Sequence, residues 1–168
     1  MTWKEFDKYN AAFKFIIKNK PKLIVEYGSG GSTYLLQELL NELDYGGKLI
    51  SFEDNEKFYD KSCSNIRLVK VEIVDKVKGS LRYVHDLDLI KDVELVIIDG
   101  PDYQRYLNDE GNPTNLTLNL QDIVEHLNKE VPFFIDGRTG CINYYNNVLG
   151  YKAHIKQPEE DRNDKPKI

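Results

Sequence analysis

Hydrophobic positions change their period several times along the chain, and each change marks a new element. Apolar residues at Trp3, Phe6, Phe13, Ile16 and Ile17 recur at helical spacing with lysines between them, which predicts a helix from Trp3 to Lys20 packed on the body. Pro21 stops it. Leu23 to Tyr27 (LIVEY) is a short β-rich run closed by glycines, and Ser32 to Leu43 returns to a helical period through Leu35, Leu36, Leu39, Leu40 and Leu43. Gly46-Gly47 turns the chain into a second strand, Lys48 to Glu53. The pattern then predicts a helix over Asn55 to Cys63, a third strand over Arg67 to Val74, and a fourth over Val93 to Ile98. The fourth is nearly all apolar, as in a strand covered on both faces. A helix over Leu116 to Leu127, a strand over Val131 to Ile135, a helix over Cys141 to Leu149 and a sixth strand over Tyr151 to Lys156 complete the pattern. Gln157 to Ile168 is a polar tail that can pack along the body or a neighbouring subunit.

Strands alternating with helices predict an α/β fold: a Rossmann-like, doubly wound, mainly parallel sheet in a single domain. The 168 residues suit one domain with its own core. Ligands of such sheets bind beyond the carboxyl ends of the strands. Those ends read Glu26-Tyr27-Gly28, Glu53-Asp54, Asp75, Asp99-Gly100-Pro101 and Asp136-Gly137-Arg138, so every one carries an acid. Strand-to-loop junctions favour Asp and Gly in any case, but five of five exceeds that tendency.

Composition narrows the partners. The net charge is −5, and it is uneven: residues 1–84 hold 14 Lys and Arg against 12 Asp and Glu, while the rest hold 9 against 16. An acidic second half is a poor surface for long nucleic acid, whose phosphates need a basic stripe. No apolar run approaches the roughly 18–20 residues that span a bilayer, and the start has no secretory pattern, so the expectation is a cytoplasmic protein without a membrane partner. Cys63 and Cys141 cannot build a disulfide framework. Asn115-Leu116-Thr117 matches a glycosylation triplet, which is accidental in that setting. A last strand with an open edge makes a homodimer possible.

The most informative stretch is Glu26-Tyr27-Gly28-Ser29-Gly30-Gly31-Ser32-Thr33, between a strand and a helix. Glycines let a ligand approach the backbone, and Ser32 or Thr33 can cap the helix. Glu53 ends the next strand, where a carboxylate can accept both ribose hydroxyls of a nucleoside, with Asp54 beside it. A dinucleotide fingerprint would need glycine at Thr33, and a P-loop would need a lysine that is missing. Glu26, two residues before Gly28, disfavours a pyrophosphate and suits an ammonium or sulfonium. That charge logic selects S-adenosylmethionine.

These segments resemble the class I S-adenosylmethionine-dependent methyltransferases: E-x-G-x-G-G-S after the first strand, an acid ending the second, I-D-G-P after the fourth. The EYGSGGST variant, with later DGP and DGR, is similar to one branch of that superfamily. The resemblance spans Leu23 to Cys141. It implies strand order 3-2-1-4-5, with Glu26, Tyr27 and Gly28, Ser29, Gly30, Gly31 and Ser32 around the methionine part, Glu53 and Asp54 at the ribose, and Asp99 at the edge of the methyl-transfer site. Such domains usually add two further strands; only one is legible after Asp136, so a shortened C-terminal part is expected.

Methyl transfer to a hydroxyl needs alignment and a base, and Asp99 is the candidate. It can equally cap the Gly100-Pro101 turn. The long loop 99–115, with Tyr103, Arg105 and Tyr106, is either a lid over the acceptor or a solvated surface. His85 lies near the cofactor or in a solvated loop; His126 and His154 carry no assignment. No metal is expected, because Gly137 follows Asp136 where related enzymes carry an adjoining Asp-Asn; Gly137-Arg138 can instead present a guanidinium to an anionic acceptor. No nucleophile elbow is present. The expected function is methyl transfer to a small-molecule or glycan-type acceptor. The alternatives are a non-catalytic nucleoside-binding module of the same fold and a nucleotide-sugar or dinucleotide enzyme.

Overall fold

The computed structural model describes residues 7–75, 79–114 and 116–157. A helix, α1 (Asn10–Asn19), leads into β1 (Leu23–Tyr27), α2 (Gly31–Leu43) and β2 (Lys48–Glu53). Then come β3 (Ile66–Leu68), β4 (Val71–Asp75), β5 (Ser80–Tyr83), β6 (Leu95–Ile98), β7 (Leu116–Thr117), α3 (Asn119–Leu127), β8 (Phe133–Ile135) and α4 (Thr139–Asn143), which runs into a π-helical turn, Tyr144–Val148. Five strands form a parallel sheet in the order β3-β2-β1-β6-β8, which is the expected 3-2-1-4-5. The order reverses between β1 and β6, so a crevice opens there.

Alternation along the strands sorts the two faces. Ile24, Leu49, Leu95, Ile97 and Phe134 pack with Phe13 and Ile16 of α1 and Leu36 and Leu40 of α2. Val25, Tyr27, Phe52, Val96, Ile98, Phe133 and Ile135 pack on the other side with Tyr83, Leu120, Ile123 and Tyr145. Both faces are therefore dry, which is why β1 and β6 read as nearly continuous apolar runs. The same period of two puts Glu26, Glu53, Asp99 and Asp136 on the face that carries α1 and α2. Register sets their height. Tyr27 pairs with Phe52 and Ile98, and Ile98 with Ile135, so Gly28, Glu53, Asp99 and Asp136 stand one step beyond a common line.

Several sequence expectations are corrected. Asn55 to Cys63 is a series of turns, not a helix. Asn55 opens the first turn by accepting from Lys57 N, but Asp60 Oδ1 accepts from Ser62 N, an amide that a continuing helix would direct to Phe58 O, so the turn does not propagate. The single strand expected over Arg67 to Val74 is two. β3 stays on the main sheet, while β4 leaves it for a second sheet, β4-β5-β7. β5, which the hydrophobic pattern does not announce, pairs antiparallel with β4 and parallel with β7. The helix expected from Leu116 begins at Asn119, whose buried amide accepts from Tyr83 N and donates to Tyr83 O as a strand would. The region from Tyr151 contributes a bridge at His154 to Phe133, not a sixth strand. The helix expected from Cys141 starts at Thr139 and loosens into the π turn. Trp3, Phe6, Asn115 and the tail beyond Gln157 lie outside the described residues. Among the described residues no helix is long and apolar enough to cross a membrane.

One contact brings the crevice walls together. A Cβ on Gly28 would lie 2.5 Å from both the Cα and the N of Gly100, and Gly28 has φ of 93°. Gly28→Ala is expected to cost about 1–3 kcal/mol from backbone strain alone, with the overlap added. Gly30→Ala, where a Cβ meets nothing within 4 Å, should be near neutral. Urea unfolding of the two variants checks the contrast.

Candidate active site

The glycine loop is held from two directions. Glu53 Oε2 accepts from Ser29 N at 2.8 Å and from Ser29 Oγ at 2.9 Å, while Oε1 accepts from Asp54 N and Asn55 N. Four donors occupy the four lone-pair sites of one carboxylate. From below, Glu26 is wholly buried and accepts from Ser32 Oγ at 2.7 Å and Thr33 Oγ1 at 2.6 Å. Thr33 Oγ1 in turn accepts from Gly30 N, closing the first turn of α2. Burial pushes the Glu26 carboxyl upward against these two hydroxyls.

The sequence-selected residues thus separate by depth. Gly28, Ser29, Glu53 and Asp99 line one cavity of about 270 Å³, with Tyr83, Gly100, Asp102, Tyr103 and Arg138. Glu26 and Ser32 sit beneath the loop and shape it, and Tyr27 faces the opposite core. Gly31 begins α2 on the surface, and Gly30 is half-buried before it. Asp54 is taken by the 99–115 loop: its Oδ2 accepts from Arg105 Nη1 at 2.6 Å and from Tyr106 Oη at 2.5 Å. That loop contains a turn of 3-10 helix at Tyr103–Arg105 and a bridge between Leu107 and Pro113. The two bonds latch it across the end of β2.

Asp99 has partners no local motif announces. Tyr9, leading into α1, donates to Asp99 Oδ2 at 2.5 Å, and Lys8 forms an ion pair with Asp136. The alternation places both acids on the α1 face, but contacts spanning 90 and more residues leave no trace in local spacing. Arg138 donates through Nη2 to the Asp99 carbonyl. Burial and a hydrogen bond to Asp136 push the Asp99 carboxyl up to about 7. Tyr83 was likewise hidden, because β5 was.

His85 is half-buried and does not line this cavity; it borders a separate one with Arg82, Asp122 and His126. It stacks on Phe52 at 4.0 Å; Nδ1 meets the Asp86 carbonyl, which leaves Nε2 to accept from Tyr27 Oη at 2.8 Å. Burial lowers its pKa, which keeps it neutral.

No family model matches this chain, and no curated protein matches it either. Solved structures do. CmcI in a Mg-SAM form is 17% identical with a TM-score of 0.50, covering 86% of this chain and 57% of that one. CmcI in an SAH form is 17% identical with a TM-score of 0.46, covering 77% and 59%. The Mg-SAM likeness shows a shared fold, a Rossmann-like α/β domain. The chain spans less than two thirds of the length of these structures.

The raised Asp99 carboxyl has a consequence for stability. From about pH 4 to 7 the folded state holds a proton there that the unfolded state releases, so this group makes stability fall as pH rises across that window and level off above it. Asp99→Asn should flatten the fall. Urea unfolding at pH 5 and pH 8 measures it, and an equal pH dependence in variant and wild type would contradict the assignment.

Proposed function

We propose that the protein is an S-adenosylmethionine-dependent methyltransferase acting on a small-molecule or glycan-type acceptor. One observation carries the reading. The glycine loop after β1, the carboxylate ending β2 and the carboxylate following β6 border a single cavity at the switch point of the sheet. Its lining holds Glu53, Asp99 and Asp102 against Arg138, a balance that suits a cationic ligand rather than a pyrophosphate. The solved neighbour in the Mg-SAM form shares the fold and supports the same ligand class.

The residues divide the work. Ser29 and the Gly28 backbone face the ligand across Glu53, which takes the ribose hydroxyls once Ser29 releases it. When bound, S-adenosylmethionine supplies an electrophilic methyl group on a sulfonium. Asp99, at the mouth beside Gly100, accepts the proton of the acceptor hydroxyl. Its raised carboxyl sits near the working pH, where a general base is most effective. Tyr9 and Arg138 fix its position. The cavity of about 270 Å³ lies below the roughly 300–1,000 Å³ of sites for drug-sized ligands. The loop latched on Asp54 must therefore lift to admit a nucleoside.

A second reading, a nucleoside-binding module of the same fold without turnover, is favoured by the parallel sheet ending at β8 among the described residues, which leaves the acceptor side with less structure. Thermal-shift measurements separate the readings, because a ligand of the native state raises its stability. S-adenosylmethionine and S-adenosylhomocysteine should stabilise the protein and NAD should not. Glu53→Ala should weaken S-adenosylhomocysteine binding about tenfold or more, the worth of hydrogen bonds to a charged group. Stabilisation by NAD alone would overturn both readings. S-adenosylhomocysteine binding without turnover on any acceptor would select the second.

A further inference from the structure

Arg138 follows β8 and the Gly137 turn and lines the same cavity as Ser29 and Asp99. Its Nη2 is used by the Asp99 carbonyl, but Nε and Nη1 are buried without a partner. None of the ion pairs among the described residues involves it. An arginine stays charged at any working pH, and a buried donor without a partner is destabilising, more so when charged. The Tyr103 ring, carried on the latched loop and 40% exposed, lies 6.0 Å from the guanidinium carbon. A cation gains less from an exposed ring at that distance than from a hydrogen bond to an anion, so an anion entering the cavity is the stronger partner.

We propose that Arg138 is an anion subsite, and that the methyl acceptor is a small hydroxycarboxylic acid whose carboxylate it binds. The inference rests on the methyltransferase reading of this cavity. Among the described residues Arg138 is the one cationic side chain on the cavity lining, and Glu53, Asp99 and Asp102 beside it repel a doubly charged phosphate more than a singly charged carboxylate, so the carboxylate is favoured. The Arg138 bond to the Asp99 backbone sets the two groups side by side, so the acceptor hydroxyl lies close to the carboxylate. The hydroxyl proton passes to Asp99 and the oxygen gains the methyl carbon. The donor's sulfur–carbon bond breaks with its electron pair on sulfur.

Calorimetric titration of salicylate and lactate, each against its amide, tests the subsite, with S-adenosylhomocysteine titrated separately into the same samples. Wild type should bind at least one acid about tenfold or more tighter than its amide, the worth of one charged hydrogen bond. Arg138→Gln should abolish the preference, and Arg138→Lys should keep part of it, which guards against a mere folding defect. Equal binding of acid and amide by wild type, or an undiminished preference in Arg138→Gln, overturns the proposal. Tighter Arg138-dependent binding of phenyl phosphate overturns the single-charge assignment. If S-adenosylhomocysteine binds but the acid preference is missing, the subsite alone is wrong. If the acids bind through Arg138 and S-adenosylhomocysteine does not, the carboxylate subsite stands and the methyltransferase reading falls.

Discussion

The Glu53 carboxylate is the interaction on which the arrangement of this site depends. It ends β2, and its two oxygens collect four donors from Ser29, Asp54 and Asn55. Two of those bonds draw the glycine loop of β1 against the neighbouring strand. The other two shape the turn that carries Asp54, to which the 99–115 loop is latched. One buried carboxylate therefore couples the floor of the cavity to its cover. Exchange of the Ser29 donors for two ribose hydroxyls would preserve the number of bonds on Glu53. A preformed site that conserves its hydrogen bonds on binding avoids leaving a buried polar atom unmatched.

Backbone proximity supports this coupling. Gly28 and Gly100 touch where no side chain fits, so the ends of β1 and β6 meet beside Glu53. The face-sorting of the sheet then does the rest. Glu26, Glu53, Asp99 and Asp136 lie on the side of α1 and α2, so those helices and their approaches supply partners to each, Glu53 adding two amides of its own turn. Glu26 meets Ser32 and Thr33, Asp99 meets Tyr9, and Asp136 meets Lys8. The acids separate into structural and chemical roles by depth. Glu26 is sealed beneath the loop, whereas Asp99 borders the cavity.

Much of this was legible from residues alone, because it rests on local periodicity. The apolar runs of β1 and β2, the leucine period of α2 and the acids at strand ends all follow from rules that act within a few residues. The sheet order followed from the resemblance carried by those motifs. What was hidden depends on distant partners. β5 shows no strong alternation and forms because β4 and β7 flank it. The helix read from Leu116 starts only at Asn119, because β7 precedes it and the Asn119 amide finds Tyr83. The turns after β2 replace a helix because Asp60 holds the Ser62 amide that would carry it on. Tyr9 and Lys8 reach the site from the approach to α1, 90 or more residues away along the chain, and the unpartnered nitrogens of Arg138 are visible only in three dimensions.

The most direct test of the nucleoside pocket is a crystal structure of the protein with S-adenosylhomocysteine. The account predicts ribose hydroxyls on the Glu53 carboxylate, Ser29 released from it, and the loop unlatched from Asp54. Ligand bound elsewhere, with the Ser29–Glu53 bonds intact, would contradict it.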